Sequence, residues 1–275
     1  PLDAAWRKLC LSNEGVLANG PPLQLGFKAD FRAHAARIGI YFANVGPNLL
    51  SNLQCELVVP ELVVPPNHNT PTPALAASAA PLPLEAGGNL APRAQALQMI
   101  SFELLAPYSQ PPHLSITWSG GSAKLNLPLM PFRFHTPWPL GKDDYFRLWR
   151  SPDLKEGQTK FTFASPGDHS AEIKSLLSSI VKLAVLEGVD PSPTNICAAG
   201  ALATKSGPAP PAPGGHYVLL RLEIIPNYAA GPDGVKRAAS RLTVRATHQA
   251  LADSLSQALT AQLSQAEVGL TTNRL

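Results

Sequence analysis

The stretch Leu114-Ser115-Ile116-Thr117-Trp118-Ser119-Gly120-Gly121-Ser122-Ala123-Lys124-Leu125-Asn126-Leu127-Pro128-Leu129 alternates apolar and polar residues on both sides of a glycine pair. A period of two over a short run marks a half-buried strand, and glycines between two such runs mark a hairpin turn. The same alternation runs back toward the N-terminus, through Leu23, Leu25 and Phe27 and then Ile38, Ile40 and Phe42. Short runs of this kind, bounded by Gly, Pro and Asn, predict an antiparallel β-sandwich over residues 15–133. Within it, residues 65–92 are rich in Pro, Ala and Asn and offer little to a core, which predicts a long mobile loop. Residues 1–14 read as the end of a hinge or linker, and the chain as cut from a longer protein.

Beyond Pro139 the period changes. Ile173, Leu176, Leu177, Ile180, Val181 and Ala184 recur at helical spacing over residues 170–187, with Asp168 or Ser170 to cap the start and Gly188 after the end. Leu251, Leu255, Leu259 and Leu263 predict a final amphipathic helix, and residues 160–164, 196–204, 216–225 and 241–247 read as strands. The proline-rich insert at 206–214 suits neither helix nor sheet. Helices mixed with hairpin-linked strands give an α+β class, with a second subdomain at 134–265 and a tail at 266–275.

Composition narrows the function. A net charge of +3 is too slight to point to nucleic acid. No apolar run reaches the roughly 18 residues that a membrane-spanning helix needs, so no direct membrane insertion is expected. Cys10, Cys55 and Cys197 are far apart and odd in number, which points to neither a disulfide framework nor a zinc site. The histidines are scattered, and no GxSxG, HExxH, phosphate-loop or dinucleotide-binding signature occurs. No enzyme, cofactor or metal is expected.

The segment Asp143-Asp144-Tyr145-Phe146-Arg147-Leu148-Trp149-Arg150 departs from ordinary patterning. Phe146 and Trp149 share a helix face, yet arginines sit beside them. Aromatic rings next to arginines are the composition of a binding hot spot. In Leu219-Leu220-Arg221-Leu222-Glu223 the alternation puts Arg221 and Glu223 on one face, and around Leu242 and Val244 it puts Arg241 and Arg245 on one face. If the two strands pair, arginines and a glutamate form a patch suited to an aromatic ring with a nearby carboxylate. Plainer readings stand beside these. Phe146 and Trp149 also suit a pin between helix and sheet, the arginines a solvated sheet face, and Tyr41 a lone surface tyrosine. Val189-Asp190-Pro191-Ser192-Pro193 reads as a proline-fixed connection.

Four blocks in order resemble the alpha-adaptin appendage, or ear, of the plasma-membrane clathrin adaptor complex. They are Gly15-Val16-Leu17 with Leu23-Gln24-Leu25-Gly26-Phe27-Lys28; Tyr145-Phe146-Arg147-Leu148-Trp149; Val189-Asp190-Pro191-Ser192-Pro193-Thr194-Asn195 with Gly200 and Thr204-Lys205; and Leu219-Leu220-Arg221-Leu222-Glu223 followed by Arg241-Leu242-Thr243-Val244-Arg245. The resemblance implies an immunoglobulin-like sandwich followed by a platform subdomain, one antiparallel sheet flanked by helices. It implies a monomeric appendage on a hinge, joined through that hinge to the rest of an adaptor complex at clathrin-coated pits on the cytoplasmic face of the plasma membrane. Its partners would be short motifs in disordered tails of endocytic accessory proteins: DPF, DPW and FxDxF types on the platform, WxxF types on the sandwich. The platform site implied is Phe146, Trp149, Arg221, Glu223, Arg241 and Arg245, and the sandwich site Lys28 and Tyr41. A beta-adaptin or coatomer-type appendage is the alternative. Tyr145 replaces a phenylalanine, Tyr41 stands where animal members have one, two residues are added between Glu223 and Pro226, and residues 206–214 and 228–238 are inserts near the platform strands.

Overall fold

The computed structural model describes residues 3–61, 73–165, 167–212, 214–230 and 234–264. The chain runs α1 (Ala4–Leu9), β1 (Glu14–Ala18), β2 (Leu23–Arg32), β3 (Ala35–Asn44), β4 (Gln54–Val58), β5 (Leu75–Ala79), β6 (Gln95–Leu104), β7 (His113–Trp118) and β8 (Gly121–Asn126). A 3-10 turn at Pro131–Phe134 follows, then β9 (His135–Pro137), α2 (Lys142–Trp149), β10 (Lys155–Thr162), α3 (Ser170–Ser179), β11 (Ala184–Val185), β12 (Ile196–Leu202), β13 (Tyr217–Ala230), β14 (Lys236–Ala246) and α4 (Gln249–Leu263).

The strands form a sandwich and a platform, an α+β fold. Among the described residues, β1-β2-β3-β6-β5 form one sheet of the sandwich and β4-β7-β8 the other. The platform sheet is ordered β10-β14-β13-β12-β11, with β9 also on β12. Every pairing in the three sheets is antiparallel. The alternation at Leu23, Leu25, Phe27, Ile38, Ile40 and Phe42 is inward-facing, and all six side chains are buried. Around Gly120-Gly121 the hairpin is present, with Trp118 paired to Gly121.

Three expectations need correction. Residues 3–13 are not a bare linker. Asp3 caps α1 by accepting from the Trp6 N–H at 2.7 Å. Trp6 is buried and donates its indole N–H to Asn126 O at 3.1 Å, and α1 lies on α4. A six-residue helix is too short to show a period. The expected loop at 65–92 holds β5, which pairs with β6 along the edge of the sandwich. Alanine-rich Leu75–Ala79 has weak strand propensity, and the free edge of β6 supplies the ladder that propensity does not; residues 65–72 of that expected loop lie outside the described residues. The helix expected over 170–187 ends at Ser179, where the chain turns with Lys182 at φ 61° and forms β11. The expected tail at 266–275 lies outside the described residues.

One hydrophobic core runs from Trp6 and the sandwich strands through Phe132 and Phe134 to Leu251, Leu255 and Leu259 of α4. It lies on one face of the platform sheet, where Val218, Leu220, Leu222, Leu242 and Val244 meet α4. At Gly157 a Cβ would stand 2.7 Å from the Ala252 carbonyl oxygen, so only glycine lets α4 lie this close to the sheet.

His135 is buried with neither ring nitrogen hydrogen-bonded. Burial pushes its pKa down to about 3 from 6.5. The folded chain therefore refuses a proton that the unfolded chain accepts. Stability is intact above pH 6.5 and falls as pH drops from there through 3, by about 5 kcal/mol in total from this residue. His135→Leu should flatten this part of the pH dependence in urea titrations between pH 7 and pH 4 and raise stability at neutral pH. A variant with an unchanged pH slope would contradict this.

Candidate functional site

The other face of the platform sheet carries α2 and the expected site. Tyr145 is fully buried among Leu154, Leu186, Val189, Cys197 and Leu219, and donates its hydroxyl to Leu220 O at 2.8 Å. Burial holds that hydroxyl far above its ordinary pKa. Tyr145 thus pins α2 to the sheet. Trp149, one turn on, stacks over Tyr145 at 5.6 Å between ring centroids and 21° between planes. Phe146 meets Tyr145 edge-on at 5.4 Å. Phe146 and Trp149 are half-buried, so one side of each ring pair faces solvent.

Antiparallel pairing brings the charged residues into rows. Glu156, Arg245 and Leu219 are partners across β10, β14 and β13; so are Gln158, Thr243 and Arg221; so are Lys160, Arg241 and Glu223. The strands do pair as the sequence suggested, and Arg221, Glu223, Arg241 and Arg245 share one face.

Their roles differ. Arg245 donates to Trp149 O and, at 3.4 Å, to Ser151 O, and stands 3.5 Å from Glu156. Its guanidinium lies 5.8 Å from the Trp149 ring centre. It therefore satisfies carbonyls left open at the C-terminus of α2 and fixes the indole. Arg221 donates from Nε to Asp190 at 2.7 Å and reaches Glu223 at 3.2 Å. The Asp190 side chain is only 2% exposed. Burial pushes the Asp190 carboxyl up, but hydrogen bonds from Arg221, the Ser192 N–H and Asn195 outweigh it and hold the pKa below the ordinary value. Arg241 pairs with Glu223, and this hydrogen bond, more than the opposing burial, lowers the Glu223 pKa. Arg241 is 48% exposed against 29% for Arg221. Of the three arginines, Arg241 has the most exposed side chain.

The sequence places Asp190 in a proline-fixed connection, and its pairing with Arg221 is not visible there. The two are 31 positions apart and meet only through the turn at 190–195.

On the sandwich, Lys28 and Tyr41 lie on the outer face of neighbouring strands. Lys28 pairs with Gly39 and stands 3.7 Å from Glu14, and Tyr41 pairs with Gly26 on one side and Leu97 on the other. Val16, Tyr41 and Leu97 are exposed, and Met99 is half-buried beside Gly39. A Cβ at Gly39 would lie 3.1 Å from Leu97 and 3.2 Å from Met99, so the bare glycine leaves a shallow apolar ledge. Leu97 and Met99 were missed. Their signal was two apolar residues on the polar side of the alternation Ala96, Gln98, Ile100, Phe102.

Among the described residues, no cluster of His, Cys, Asp or Glu is placed to hold a metal, and no helix is long and apolar enough to cross a membrane.

Residues 133–263 match the family model described as alpha adaptin AP2, C-terminal domain. The chain is 26% identical over 202 residues to AP-2 complex subunit alpha-2 of Dictyostelium discoideum, covering 71% of this chain and 19% of that protein. It is 27% identical over 231 residues to AP-2 complex subunit alpha-1 of Arabidopsis thaliana, covering 80% of this chain and 20% of that protein. The chain thus spans about a fifth of the length of these relatives. Among solved structures, the GAE domain of GGA2p from Saccharomyces cerevisiae aligns with a TM-score of 0.30 at 16% identity, over 41% of this chain and 91% of that one, a likeness too slight to carry an argument.

Proposed function

We propose that this chain, whose residues 133–263 match the alpha adaptin AP2 C-terminal domain family, is the protein-binding appendage of a clathrin adaptor large subunit at plasma-membrane coated pits. In this reading residues 15–133 and 134–265 act as two subdomains, each with its own peptide surface. The platform captures DPF-, DPW- and FxDxF-type motifs from disordered tails of accessory proteins. The observation that carries the reading is the half-exposed Phe146–Trp149 pair on the same sheet face as Arg241 and Glu223. A peptide ring packs on Trp149 and Phe146, and the peptide carboxylate meets the donors of Arg241 that Glu223 leaves open. Arg221 and Arg245 position rather than contact: the first holds the Asp190 turn, the second holds the end of α2.

Burying one aromatic ring contributes about 1.5–3 kcal/mol and a charge-assisted hydrogen bond about as much, while ordering the tail takes back several. Single-motif affinity is therefore on the order of 10 to 100 μM. Many weak motifs on one partner give avidity that remains reversible.

Calorimetry on Arg241→Ala tests the carboxylate contact. The substitution should weaken a DPF-type peptide several-fold and leave its Asp→Asn counterpart nearly unchanged. Equal losses for both peptides would remove Arg241 from that role, and no binding of either peptide to the wild-type chain would remove the platform reading itself.

The ledge at Tyr41 supports a second, weaker site for WxxF-type motifs, with Leu97 and Met99 as its floor and Lys28 at its rim. Chemical-shift mapping with such a peptide should perturb Lys28, Tyr41 and Leu97. Perturbations confined to residues after 133 would contradict a sandwich site.

A further inference from the structure

We propose that the platform sheet beyond Arg241 is a second subsite of the same peptide surface, taking one apolar side chain on Ile225 and one carboxylate at Lys160 from residues that flank the bound motif. The inference rests on the platform reading above and extends it.

The sheet face carrying α2 is only half covered. Leu219, Ala199 and Cys197 pack with Tyr145 of the helix, but the next rows do not. Lys160, Arg241 and Glu223 form one row, and Thr162, Ala239 and Ile225 form the row after it. These rows floor an open groove of about 630 Å³, walled on one side by Ser192, Thr194 and Asn195. Ile225 is 53% exposed there. An isoleucine in the middle of a platform strand, on a part of the face that no helix covers among the described residues, offers apolar surface to a ligand.

The charge balance selects the ligand. Glu223 is already shared between Arg221 and Arg241. Lys160 stands directly opposite Arg241 across the β10–β14 ladder, is exposed, and forms no ion pair among the described residues. Like charges in register repel, and a carboxylate between them relieves the repulsion. The groove runs on into a second space of about 430 Å³ that shares Thr194 and Ile224 and carries Lys236 and Asp168.

Reach supports continuity with the motif site. Glu223 and Arg241 belong to both. From Leu219, beneath α2, to Ile225 the strand advances roughly 20 Å, which an extended peptide of about six residues covers. A tail bound with its ring on Trp149 therefore lays its flanking residues on Ile225 and Lys160.

The test compares three peptides by calorimetry on the full chain: a DPF-type core, and the core extended on its N-terminal or its C-terminal side by about six residues that include a leucine and an aspartate. One extension should bind about tenfold tighter than the core. Ile225→Ala should erase most of that gain and leave the core peptide unchanged, because Ile225 lies a row beyond the motif carboxylate on Arg241. Lys160→Ala should also erase most of the gain and weaken the core peptide by much less than it weakens the extension. If the core binds and neither extension gains, or if the gain survives both substitutions, the second subsite is wrong while the platform reading stands. If the core itself does not bind, the platform reading falls first.

Discussion

Trp149→Ala should abolish calorimetrically detectable binding of a DPF-type peptide while the fold persists. The indole supplies the largest apolar surface of the proposed site, and truncation of such an anchor costs about 2–4 kcal/mol. Starting from an affinity on the order of 10 to 100 μM, that loss moves the dissociation constant to the millimolar range. The fold tolerates the change because α2 is held from beneath. Tyr145 remains buried with its hydrogen bond to Leu220 O, and Arg245 keeps its bonds to the carbonyls of residues 149 and 151. What is lost is one stacking contact and one cation–π contact on a half-exposed ring, each about 0.5–1.5 kcal/mol. Retained binding in a folded variant would show that the ring only pins the helix.

The second large effect concerns stability. Arg133 is buried in the 3-10 turn that links β8 to β9. Its Nη1 donates to Cys10 O at 2.7 Å and Ser12 O at 2.9 Å, its Nη2 donates to Asn13 at 2.5 Å, and its guanidinium lies 4.0 Å from the centre of the Phe31 ring. Burial pulls its pKa down to about 10, against the opposing pull of Cys10, so it stays charged at neutral pH. Arg133→Met keeps the length of the side chain and removes every donor, leaving three acceptors around an apolar group. A loss of about 3 kcal/mol is expected in urea denaturation, with amide exchange accelerated first between Trp6 and Asn13. A loss below about 1 kcal/mol, or protection unchanged in that segment, would mean α1 is held by Trp6 and α4 alone.

Much of the fold was legible because strong periods survive in single residues. Leu23 to Phe42 and Leu114 to Leu125 alternate cleanly and are buried as that alternation requires. Leu251 to Leu263 shows the helical stripe that becomes α4. What escaped had no local signal. The strand β5 is mostly alanine and serine and exists because β6 offers it a ladder. The helix α1 is shorter than two turns and is fixed by Arg133, more than a hundred positions away.

The site divides the same way. Alternation placed Arg221, Glu223, Arg241 and Arg245 on one face, and the paired strands have them so. Alternation could not say which arginine is committed elsewhere. That depended on Asp190 reaching Arg221 and on the C-terminus of α2 reaching Arg245, contacts between distant segments. Nor could it place Leu97 beside Tyr41, because β3 and β6 are separated by the whole of β4 and β5.

The most direct measurement is the indole N–H spectrum of the isotopically labelled chain, titrated with a DPF-type peptide. The chain holds four tryptophans, and of these Trp149 alone is among the proposed contact residues; Trp138 stands edge-on to Tyr217. Its signal should shift progressively toward saturation in the 10 to 100 μM range, while those of Trp6, Trp118 and Trp138 stay in place. A Trp149 signal that remains fixed while binding is detected by calorimetry would contradict the platform as the binding surface.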